Sequence, residues 1–354
     1  TPANDLLYTT GWFNLANGPR LLHVPSSREH GGRYFVLALY DAWTNNFANP
    51  GSRTSPPEGE TVALVGPGTP RGAALPAGAR VVESPTDLFW LIPRVVVGEG
   101  DDAAPARALQ SEIRLECPAG TDSGRPPACV AQWTGAPQET MAALEEAQPA
   151  QSEHIAADFF TNLCRCLADA PPGVEERGLA AWFASAGLVA GSAFDWMRLE
   201  PATRAGLHQG LLDAAAVLQR NSRSRVARPW AIGWDIGVYG HRYLVRALTA
   251  YKGLGALANG EAVYAMGDFD ADKQMLRGEH DYLLRFEAGD LPPVDDFWSL
   301  TLYAADRFLY PNAISRFSIG DRTQGLQYDP DGGLTLRVGH RPPERQANWL
   351  PAAA

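Results

Sequence analysis

Lysine is almost absent from this sequence, and so are long apolar runs. Only Lys252 and Lys273 are lysines, so arginine supplies nearly all of the positive charge. The chain has 354 residues with 30 basic and 40 acidic side chains, a formal net charge of −10. A chain of this charge lacks the positive field that attracts nucleic acids and anionic membranes, so neither is expected as a partner. No run of about eighteen apolar residues occurs, so no membrane span is expected.

The short motifs of several enzyme classes are also missing. The seven histidines are scattered and form no H-E-x-x-H pair, which argues against a zinc hydrolase. Histidines that converge from distant segments would leave no such spacing, so a metal-dependent enzyme remains an alternative. There is no G-x-S-x-G nucleophile elbow. The segment Gly66-Pro67-Gly68 lacks the lysine of a phosphate-binding loop and indicates a turn.

Cysteine is scarce, with four residues in the chain. Cys117 and Cys129 bracket a loop rich in glycine and proline, and the spacing is compatible with a disulfide or with two free thiols. A disulfide would indicate an oxidising compartment and would stabilise the fold by about 3 kcal/mol on the chain-entropy model. Cys164 and Cys166 lie two residues apart, which is not the usual spacing of zinc ligands.

The first 135 residues have the pattern of a β-sandwich. Residues 33–41 are apolar on both faces, which is typical of a central strand buried between two layers. Short segments separated by glycine and proline turns also favour a sandwich. Further strands are predicted at residues 61–65, 79–82, 88–97 and around 111–115.

The composition changes near residue 136 and again near residue 226. Between these points apolar residues recur every three to four positions, which predicts amphipathic helices at residues 141–147, 154–167 and 207–218. After residue 226 a helix is predicted at 241–251, followed by strands at 262–265, 282–286, 297–303, 325–328 and 334–338. The last two strands flank an Asp-Pro-Asp-Gly-Gly turn, which predicts a β-hairpin with one wet face.

Residues 294–317 carry the densest set of polar and aromatic side chains. If residues 297–303 form a strand, their side chains point alternately to its two faces. Trp298, Leu300 and Leu302 then share one face, and Phe297, Ser299, Thr301 and Tyr303 share the other. One face then belongs to the core and the other is available to line a cleft. Pro311 and Asn312 predict a turn directly after this strand.

Long runs of the sequence resemble two bacterial families. The first part contains RYFVLALYDAWTNNFANPGSRT, ALVGPGTP and ESPTDLFWLIPR, which resemble the domain of unknown function numbered 1254. The second part contains GWDIGVYGHRYLVRALTAYKGLGALANGEAVYA, LPPVDDFWSLTLY, PNAISRFSIG, YDPDGGLTL and NWLPA, which resemble its usual companion, the domain of unknown function numbered 1214. Together the two resemblances cover nearly the whole chain.

The resemblance implies a multidomain α and β fold and a location outside the cytoplasm. It implies an N-terminal Ig-like β-sandwich over residues 1–135, a middle helical domain over 136–225 and a C-terminal jelly-roll-like β-sandwich over 226–354. It also implies an exported bacterial protein, periplasmic or secreted, and no settled activity. The family pattern starts upstream of Thr1 and continues past NWLPA, so we expect a processed or trimmed form that lacks a final edge strand.

An acidic segment near residue 270 has the spacing of a calcium loop. Asp268, Asp270, Asp272 and Glu279 stand at positions 1, 3, 5 and 12, which supply the oxygen ligands in helix-loop-helix calcium sites. Lys273 occupies the sixth position, where such loops need glycine, and the flanking segments look like strands. Calcium binding and a solvated acidic hairpin loop are therefore both open, and no other cofactor is predicted.

The remaining candidates for a site are carboxylates, aromatic rings and arginines from several segments. Such groups can act as acid and base, stack on sugar rings and clamp carboxylates. The predicted catalytic side chains are Asp296, Tyr303, Arg307 and Arg316. The predicted ligand-binding side chains are Asp41, Trp43, Arg53, Trp234, Tyr239, Tyr243, Arg246, Trp298 and Asn312. The alternative is structural, because buried pairs such as Asp41 with Arg53 also hold domains together.

These residues favour an enzyme, a hydrolase or lyase, that acts on a small polar or carbohydrate-like ligand in a cleft between the two β domains. One alternative is a non-catalytic envelope protein that binds a partner or forms a homo-oligomer. That alternative predicts exposed apolar patches or open sheet edges. The metal-dependent enzyme is the third reading of the sequence.

Overall fold

The computed structural model describes residues 3–70, 72–117, 148–222, 230–304 and 307–353. These residues form a mixed α and β fold with five α-helices and sixteen strands in several sheets. The helices are α1 (Ala103–Glu112), α2 (Pro149–Asp169), α3 (Arg177–Ser185), α4 (Pro201–Arg220) and α5 (Tyr243–Gly253). The strands of the first part are β1 (Leu6–Tyr8), β2 (Gly11–Asn14), β3 (Arg20–Val24), β4 (Phe35–Asp41), β5 (Asn46–Ala48), β6 (Glu60–Val65), β7 (Arg80–Glu83), β8 (Leu88–Val96) and β9 (Arg114–Glu116). The strands of the C-terminal part are β10 (Trp230–Ile232), β11 (Ala265–Gly267), β12 (Tyr282–Phe286), β13 (Ser299–Thr301), β14 (Ser318–Gly320), β15 (Leu334–Gly339) and β16 (Trp349–Pro351).

The first part contains two sheets that share one apolar core. One sheet has the order β1-β8-β4-β5 with β2 also paired to β8, and the other has the order β7-β6-β3-β9. Leu22 of β3, Leu64 of β6 and Leu37 of β4 belong to the same buried cluster, together with Leu109 of α1. The predicted strands at residues 61–65, 79–82 and 88–97 are confirmed within a residue or two. The Ig-like type of this layer stays a prediction.

Strand β4 is buried on both faces, as its apolar sequence predicts. Phe35 and Leu37 belong to the core between the two sheets. Val36 and Tyr40 point the other way and pack with Leu257, far along the chain. Side chains of a strand alternate between faces, so this single strand carries two cores. It therefore joins the first part to the segment that follows α5.

The predicted strand around residue 111 begins later than expected. The sequence predicts a strand around residues 111–115, but Ser111 lies in α1 and the strand β9 starts only at Arg114. The helix buries Ala106 and Leu109 against the first core. That burial comes from tertiary packing, which overrides a weak local strand preference.

The middle of the described chain is helical, and α2, α4 and the loop after α3 share a core. Phe160 of α2, Leu211 of α4 and Trp196 are buried together. The helices predicted at residues 154–167 and 207–218 are confirmed and extend further. The helix predicted at residues 141–147 and the cysteine Cys129 lie outside the described residues. None of the described helices is long and apolar enough to cross a membrane.

The C-terminal part holds three small sheets and a fourth core. Strand β15 pairs antiparallel with β12 and parallel with β16, β13 pairs with β14, and β10 pairs with β11. Ile319, Leu336 and Leu350 are fully buried in this core. Trp298 packs against the same core, as the alternation of residues 297–303 predicts, although the regular strand is shorter. The jelly-roll type of this region stays a prediction.

The predicted hairpin between residues 325–328 and 334–338 is wrong. Residues 325–328, all of them described, form no strand, and β15 pairs with β12 instead. The Asn348 side chain accepts a hydrogen bond from the Gln327 amide at 2.9 Å and donates to the Gln327 carbonyl at 2.6 Å. It also donates to the Thr335 carbonyl at 2.9 Å. A distant side chain thus satisfies backbone groups that a hairpin ladder would have used.

Candidate functional site

A polar cleft of about 450 Å³ lies where the first β layer meets the C-terminal part. The first β layer contributes residues 30–34, with Asp102 and Glu99 from the segment after β8. The C-terminal part contributes Asp296 and Arg322. Asp296 is thus the predicted catalytic residue that lines this cleft.

A glycine turn delivers two cleft residues at the start of β4. Gly31 and Gly32 have φ angles of 67° and 75°, a left-handed conformation that glycine adopts without strain. The Gly32 amide donates to the Ser27 carbonyl at 2.8 Å, which closes the turn. Arg33 and Tyr34 follow directly and line the cleft before the strand becomes fully buried.

Arg33 and Asp102 form a two-point ion pair in the cleft. The Arg33 Nη1 and Nη2 atoms donate to the two Asp102 carboxylate oxygens at 2.6 and 2.5 Å. Nη1 also donates to the Val96 carbonyl at 2.8 Å, and the Gly98 amide donates to Asp102 at 2.6 Å. The hydrogen bonds from Arg33 are the main reason that the pKa of Asp102 is lowered to about 2. Asp102 is therefore a fixed negative charge.

Arg322 is held against an aromatic ring on the other part of the chain. Its guanidinium carbon lies 4.2 Å from the centroid of Phe297, which in turn meets Tyr34 edge-on at 5.8 Å. Arg322 Nη2 lies 3.8 Å from Asp5 Oδ2, which is too long for a hydrogen bond. Arg322 Nε and Asp5 Oδ2 are both buried without a hydrogen-bond partner in the described part of the chain. Arg322 therefore keeps unused donor capacity beside the cleft.

The two carboxyl groups of the cleft have pKa values that move in opposite directions. Asp296 has an exposed side chain that is only partly desolvated by its neighbours; this partial desolvation raises its pKa, and the nearby Arg322 charge opposes the shift. The Arg322 charge also contributes to the lowered pKa of Asp102. Arg322 thus acts electrostatically on both carboxyls. Asp296 is the one of the two that can exchange a proton nearer to neutral pH.

Glu261 ties the first β layer to the C-terminal part beside this cleft. Its carboxylate is 2% exposed and accepts hydrogen bonds from the Tyr34 hydroxyl at 2.7 Å and from Arg53 Nε at 2.8 Å. Burial and the charge of Glu261 raise the pKa of Tyr34, so its phenol stays protonated. The predicted pairing of Arg53 with Asp41 is wrong, because Glu261, more than two hundred residues away, takes Arg53 instead.

Asp41 builds a turn rather than an ion pair. Its Oδ1 atom accepts hydrogen bonds from the Trp43 amide at 2.9 Å and the Asn45 amide at 2.8 Å. Asp41 is 3% exposed, and this burial raises the pKa of its carboxyl despite the hydrogen bonds. The Asn45 side chain then accepts from the Tyr239 amide at 2.9 Å. The turn thereby holds the segment before α5.

The other predicted ligand-binding aromatics surround the start of α5. The Arg246 guanidinium carbon lies 5.1 Å from the Trp43 ring and 5.3 Å from the Tyr243 ring. Tyr239 is 3% exposed, while Trp234 is 64% exposed. Trp43, Tyr243 and Arg246 contact one another at α5, Trp234 is largely exposed, and none of these side chains lines the cleft.

Three further predicted residues stabilise local structure in the C-terminal part. Arg316 Nη1 donates to the carbonyls of Gln346 at 2.7 Å and of Ala347 and Trp349 at 3.1 Å, so it holds the chain at β16. Asn312 Oδ1 accepts from the Arg316 amide at 3.0 Å, which closes the predicted turn. Trp298 packs on Phe286 at 5.4 Å within the core.

Arg307 and Tyr303 lie at separate places on the same segment. Arg307 stacks on Tyr251 of α5 at 4.4 Å and donates to the Tyr251 carbonyl at 3.1 Å. Tyr303 is 38% exposed and pairs with Leu309 in an isolated β-bridge. Burial, with contributions from Tyr8 and Asp5, raises the pKa of Tyr303 to about 12. Arg307 and Arg316 thus contact different elements, and neither lines the cleft.

A buried arginine at the same junction was not among the predicted site residues. Arg94 of β8 is 8% exposed and donates to the Tyr40 hydroxyl at 3.0 Å, the Tyr264 hydroxyl at 3.3 Å and the Gly255 carbonyl. Burial opposes its charge, but the surrounding tyrosine hydroxyls leave its pKa raised on balance. Arg94 therefore joins the first layer to the segment after α5 as a charged structural link.

The cleft residues Arg33, Asp102 and Arg322 were also missed by sequence reasoning. They stand in three separate segments and share no spacing motif, so no local signal marks them. The consecutive glycines at 31 and 32 were the available hint, because they indicate a tight turn before a buried strand. The partners come together only through the packing of the two β regions.

The predicted calcium ligands lie on an irregular loop. Phe269 pairs with Met275, and Asp270 Oδ1 accepts a hydrogen bond from the Gln274 amide at 2.8 Å. Lys273, at the position that needs glycine, has a left-handed φ of 63°. Among the described residues no group of three or more His, Cys, Asp or Glu side chains is placed to hold a metal ion. Calcium binding by Asp268, Asp270, Asp272 and Glu279 stays a prediction that requires these carboxylates to move together.

The fold is that of a mixed α and β protein in which an N-terminal β layer and a C-terminal β region together line an open polar cleft. Residues 1–117 match the family model described as "Protein of unknown function (DUF1254)". Residues 261–354 match the model described as "Protein of unknown function (DUF1214)". The chain thus carries these two domains, in this order from the N-terminus, and the resemblance noted from the sequence is confirmed.

A solved structure supports the same fold. The chain is similar to the VPA0106 protein from Vibrio parahaemolyticus, known from a crystal structure, with 26% sequence identity and a TM-score of 0.66. The similarity covers 99% of this chain and 82% of that protein. No curated protein matches the chain.

Proposed function

We propose that this chain is an enzyme, a hydrolase or lyase, that acts on a small polar or carbohydrate-like ligand in the cleft between its two β regions. One observation carries the proposal. Asp102 and Asp296 line the same cleft, and their pKa values are shifted in opposite directions. Environments that separate the pKa values of two carboxyls are the usual way in which a site divides an ionised role from a proton-carrying role.

Each of three cleft residues has a different role in the proposed reaction. Asp296 exchanges a proton with the ligand, since its pKa is raised. Asp102 stays ionised and keeps Arg33 in place through two hydrogen bonds. Arg322 stabilises negative charge that develops on a ligand oxygen, because its charge already reaches both carboxyls.

The neighbouring residues Asp295 and Asp296 allow a matched test. Asp296→Asn removes the proton-exchanging carboxyl, while Asp295→Asn makes the same chemical change at the preceding residue, which does not line the cleft. On a panel of chromogenic glycosides and polar esters, we expect Asp296→Asn to lose about 10²- to 10⁴-fold in kcat and Asp295→Asn to keep wild-type turnover. Equal activity of the two variants would contradict the assignment of Asp296.

A titration tests the proposal without a known substrate. Carboxyl ¹³C NMR of the wild-type protein should show Asp296 titrating above the ordinary aspartate range and Asp102 below it. An unshifted Asp296 would remove the observation on which the acid and base roles depend.

One observation favours a second function, assembly into a homo-oligomer. The two-stranded ribbon of β10 and β11 exposes Trp230 by 44% and Ile232 by 43%, and these two side chains share one face of the ribbon. Adjacent exposed apolar side chains on a short open sheet are typical of contact surfaces. We expect light scattering after size exclusion to detect a dimer that Ile232→Glu disrupts. A wild-type protein that stays monomeric at millimolar concentration would rule this assembly out.

A further inference from the structure

We propose that the ligand of the cleft carries a carboxylate group and that Arg322 binds it. This inference rests on the proposed cleft function and adds the chemical class of the ligand. It concerns binding, and it is argued from how differently the two cleft arginines are used.

Arg33 has little donor capacity left. Both of its terminal nitrogens already donate to Asp102, and Nη1 also donates to the Val96 carbonyl. Its side chain is 14% exposed. An incoming anion would have to break a two-point ion pair to reach it, so Arg33 is a poor ligand anchor.

Arg322, in contrast to Arg33, still has donor capacity. Its side chain is 31% exposed, and its closest carboxylate oxygen, Asp5 Oδ2, is 3.8 Å away. Its Nε atom is buried without a hydrogen-bond partner, and no hydrogen bond within the described part of the chain uses its terminal nitrogens Nη1 and Nη2. An acceptor that enters the cleft can therefore bond the terminal nitrogens of Arg322 without breaking an existing hydrogen bond. Arg322 is therefore the cleft arginine that is able to accept a new partner.

The orientation of Arg322 selects the shape of that partner. The guanidinium carbon lies 4.2 Å from the centroid of Phe297, so the ring restricts where this planar group can move, and the N–H groups of a guanidinium lie in its own plane. A planar acceptor with two oxygens matches two parallel N–H groups, which is the geometry of a carboxylate. A neutral hydroxyl offers one acceptor at a time and gains less from this fork.

Binding of matched sugars tests the inference. D-glucuronate and D-glucose share a ring and differ at the carboxylate, so each is titrated into the wild-type protein by ligand-observed NMR and calorimetry. We expect glucuronate to bind at least about tenfold more tightly than glucose, with small carboxylates such as malate as competitors.

Variants assign that preference to Arg322. Arg322→Gln should abolish the preference for glucuronate, and Arg322→Lys should keep part of it, since lysine retains the charge without the fork. The control is Arg198→Gln, whose side chain is 88% exposed in the helical region and which should bind as the wild type does. Near-ultraviolet circular dichroism of each variant verifies that the core is intact.

The outcomes separate this inference from the proposed function. Equal binding of glucose and glucuronate, or an unchanged preference in Arg322→Gln, overturns the carboxylate inference and leaves the acid and base roles of the cleft standing. Absence of binding by every carboxylate in the panel also overturns it. The NMR titration of Asp296 is independent of any ligand, so its failure would overturn the proposed function instead.

Discussion

At the scale of single residues, three arginines of this protein lie in three different environments. Arg33 donates to a carboxylate through both terminal nitrogens, Arg94 is buried among tyrosine hydroxyls with its Nε unpaired, and Arg322 lies on a ring and makes no hydrogen bond within the described residues. A guanidinium stays charged in each environment because its pKa is so high. The differences therefore lie in the hydrogen bonds that each one has left, and these decide which arginine can serve a ligand.

Asp102 provides a pH-dependent prediction. Its folded-state pKa of about 2 lies below the value of about 3.9 that is usual for aspartate in an unfolded chain. The ion pair with Arg33 therefore stabilises the fold above the unfolded value, and this contribution is lost as pH falls toward 2. We expect Asp102→Asn to lower the free energy of urea unfolding more at pH 6 than at pH 2.5. An equal loss at both values would contradict the role of the ionised carboxylate.

At the scale of elements, β4 and β5 contact the segment around residue 258 and so join the first layer to the part of the chain after α5. The Asn46 amide donates to the Gly237 carbonyl at 2.6 Å, and Asn46 Oδ1 accepts from the Ala258 amide at 3.0 Å. A Cβ atom on Gly237 would lie 2.5 Å from the Ala258 nitrogen. The absence of a side chain at this residue thus permits two backbone segments to approach closely.

Two glycines with the same φ angle allow the cost of a left-handed backbone to be separated from the cost of a steric overlap. Gly237 and Gly289 both have a φ of 85°, but a Cβ on Gly289 would meet nothing within 4 Å. Each substitution to alanine should cost about 1 kcal/mol for the left-handed conformation. Gly237→Ala should cost about 1–3 kcal/mol more, because it overpacks the junction. Urea unfolding of both variants measures the difference. Equal losses in the free energy of unfolding would show that the close approach at Gly237 does not contribute to stability.

At the scale of the whole molecule, buried polar contacts connect regions far apart in sequence. Glu261 accepts hydrogen bonds from Tyr34 and Arg53, and Arg94 donates to the Gly255 carbonyl. A polar group in such a junction must be paired, so these bonds also determine how the two β regions are placed against each other. The cleft exists because of that placement.

Glu261→Ala tests the connection. The substitution leaves the partly buried Tyr34 hydroxyl without its acceptor, so we expect a loss of about 1–3 kcal/mol in the free energy of unfolding. Glu279→Ala is the control, since that carboxylate is 62% exposed and should matter by less than about 0.5 kcal/mol. Denaturant titration followed by fluorescence and by far-ultraviolet circular dichroism provides the comparison, and similar losses in the two variants would argue against the link.

Local sequence predicted those elements whose burial leaves a regular pattern. The doubly buried β4 and the amphipathic α2 and α4 are in place as expected. The hairpin at residues 325–328 was wrong because Asn348 supplies hydrogen bonds from a distant segment. Of the four predicted catalytic residues, Asp296 lines the cleft, while Arg307 and Arg316 bind backbone carbonyls elsewhere.

The sequence by itself determined the mixed α and β class, the helical middle, the strand that carries two cores and the resemblance to two domain families. Periodicity and apolar content are local properties, and they already restrict which faces must be buried. Only the tertiary structure decided that Arg33 pairs with Asp102, that Arg53 reaches Glu261 and that Arg322 makes no hydrogen bond within the described residues. Charges and hydrogen bonds act over a few ångströms in space, and residues that meet at such distances can lie hundreds of positions apart in the chain.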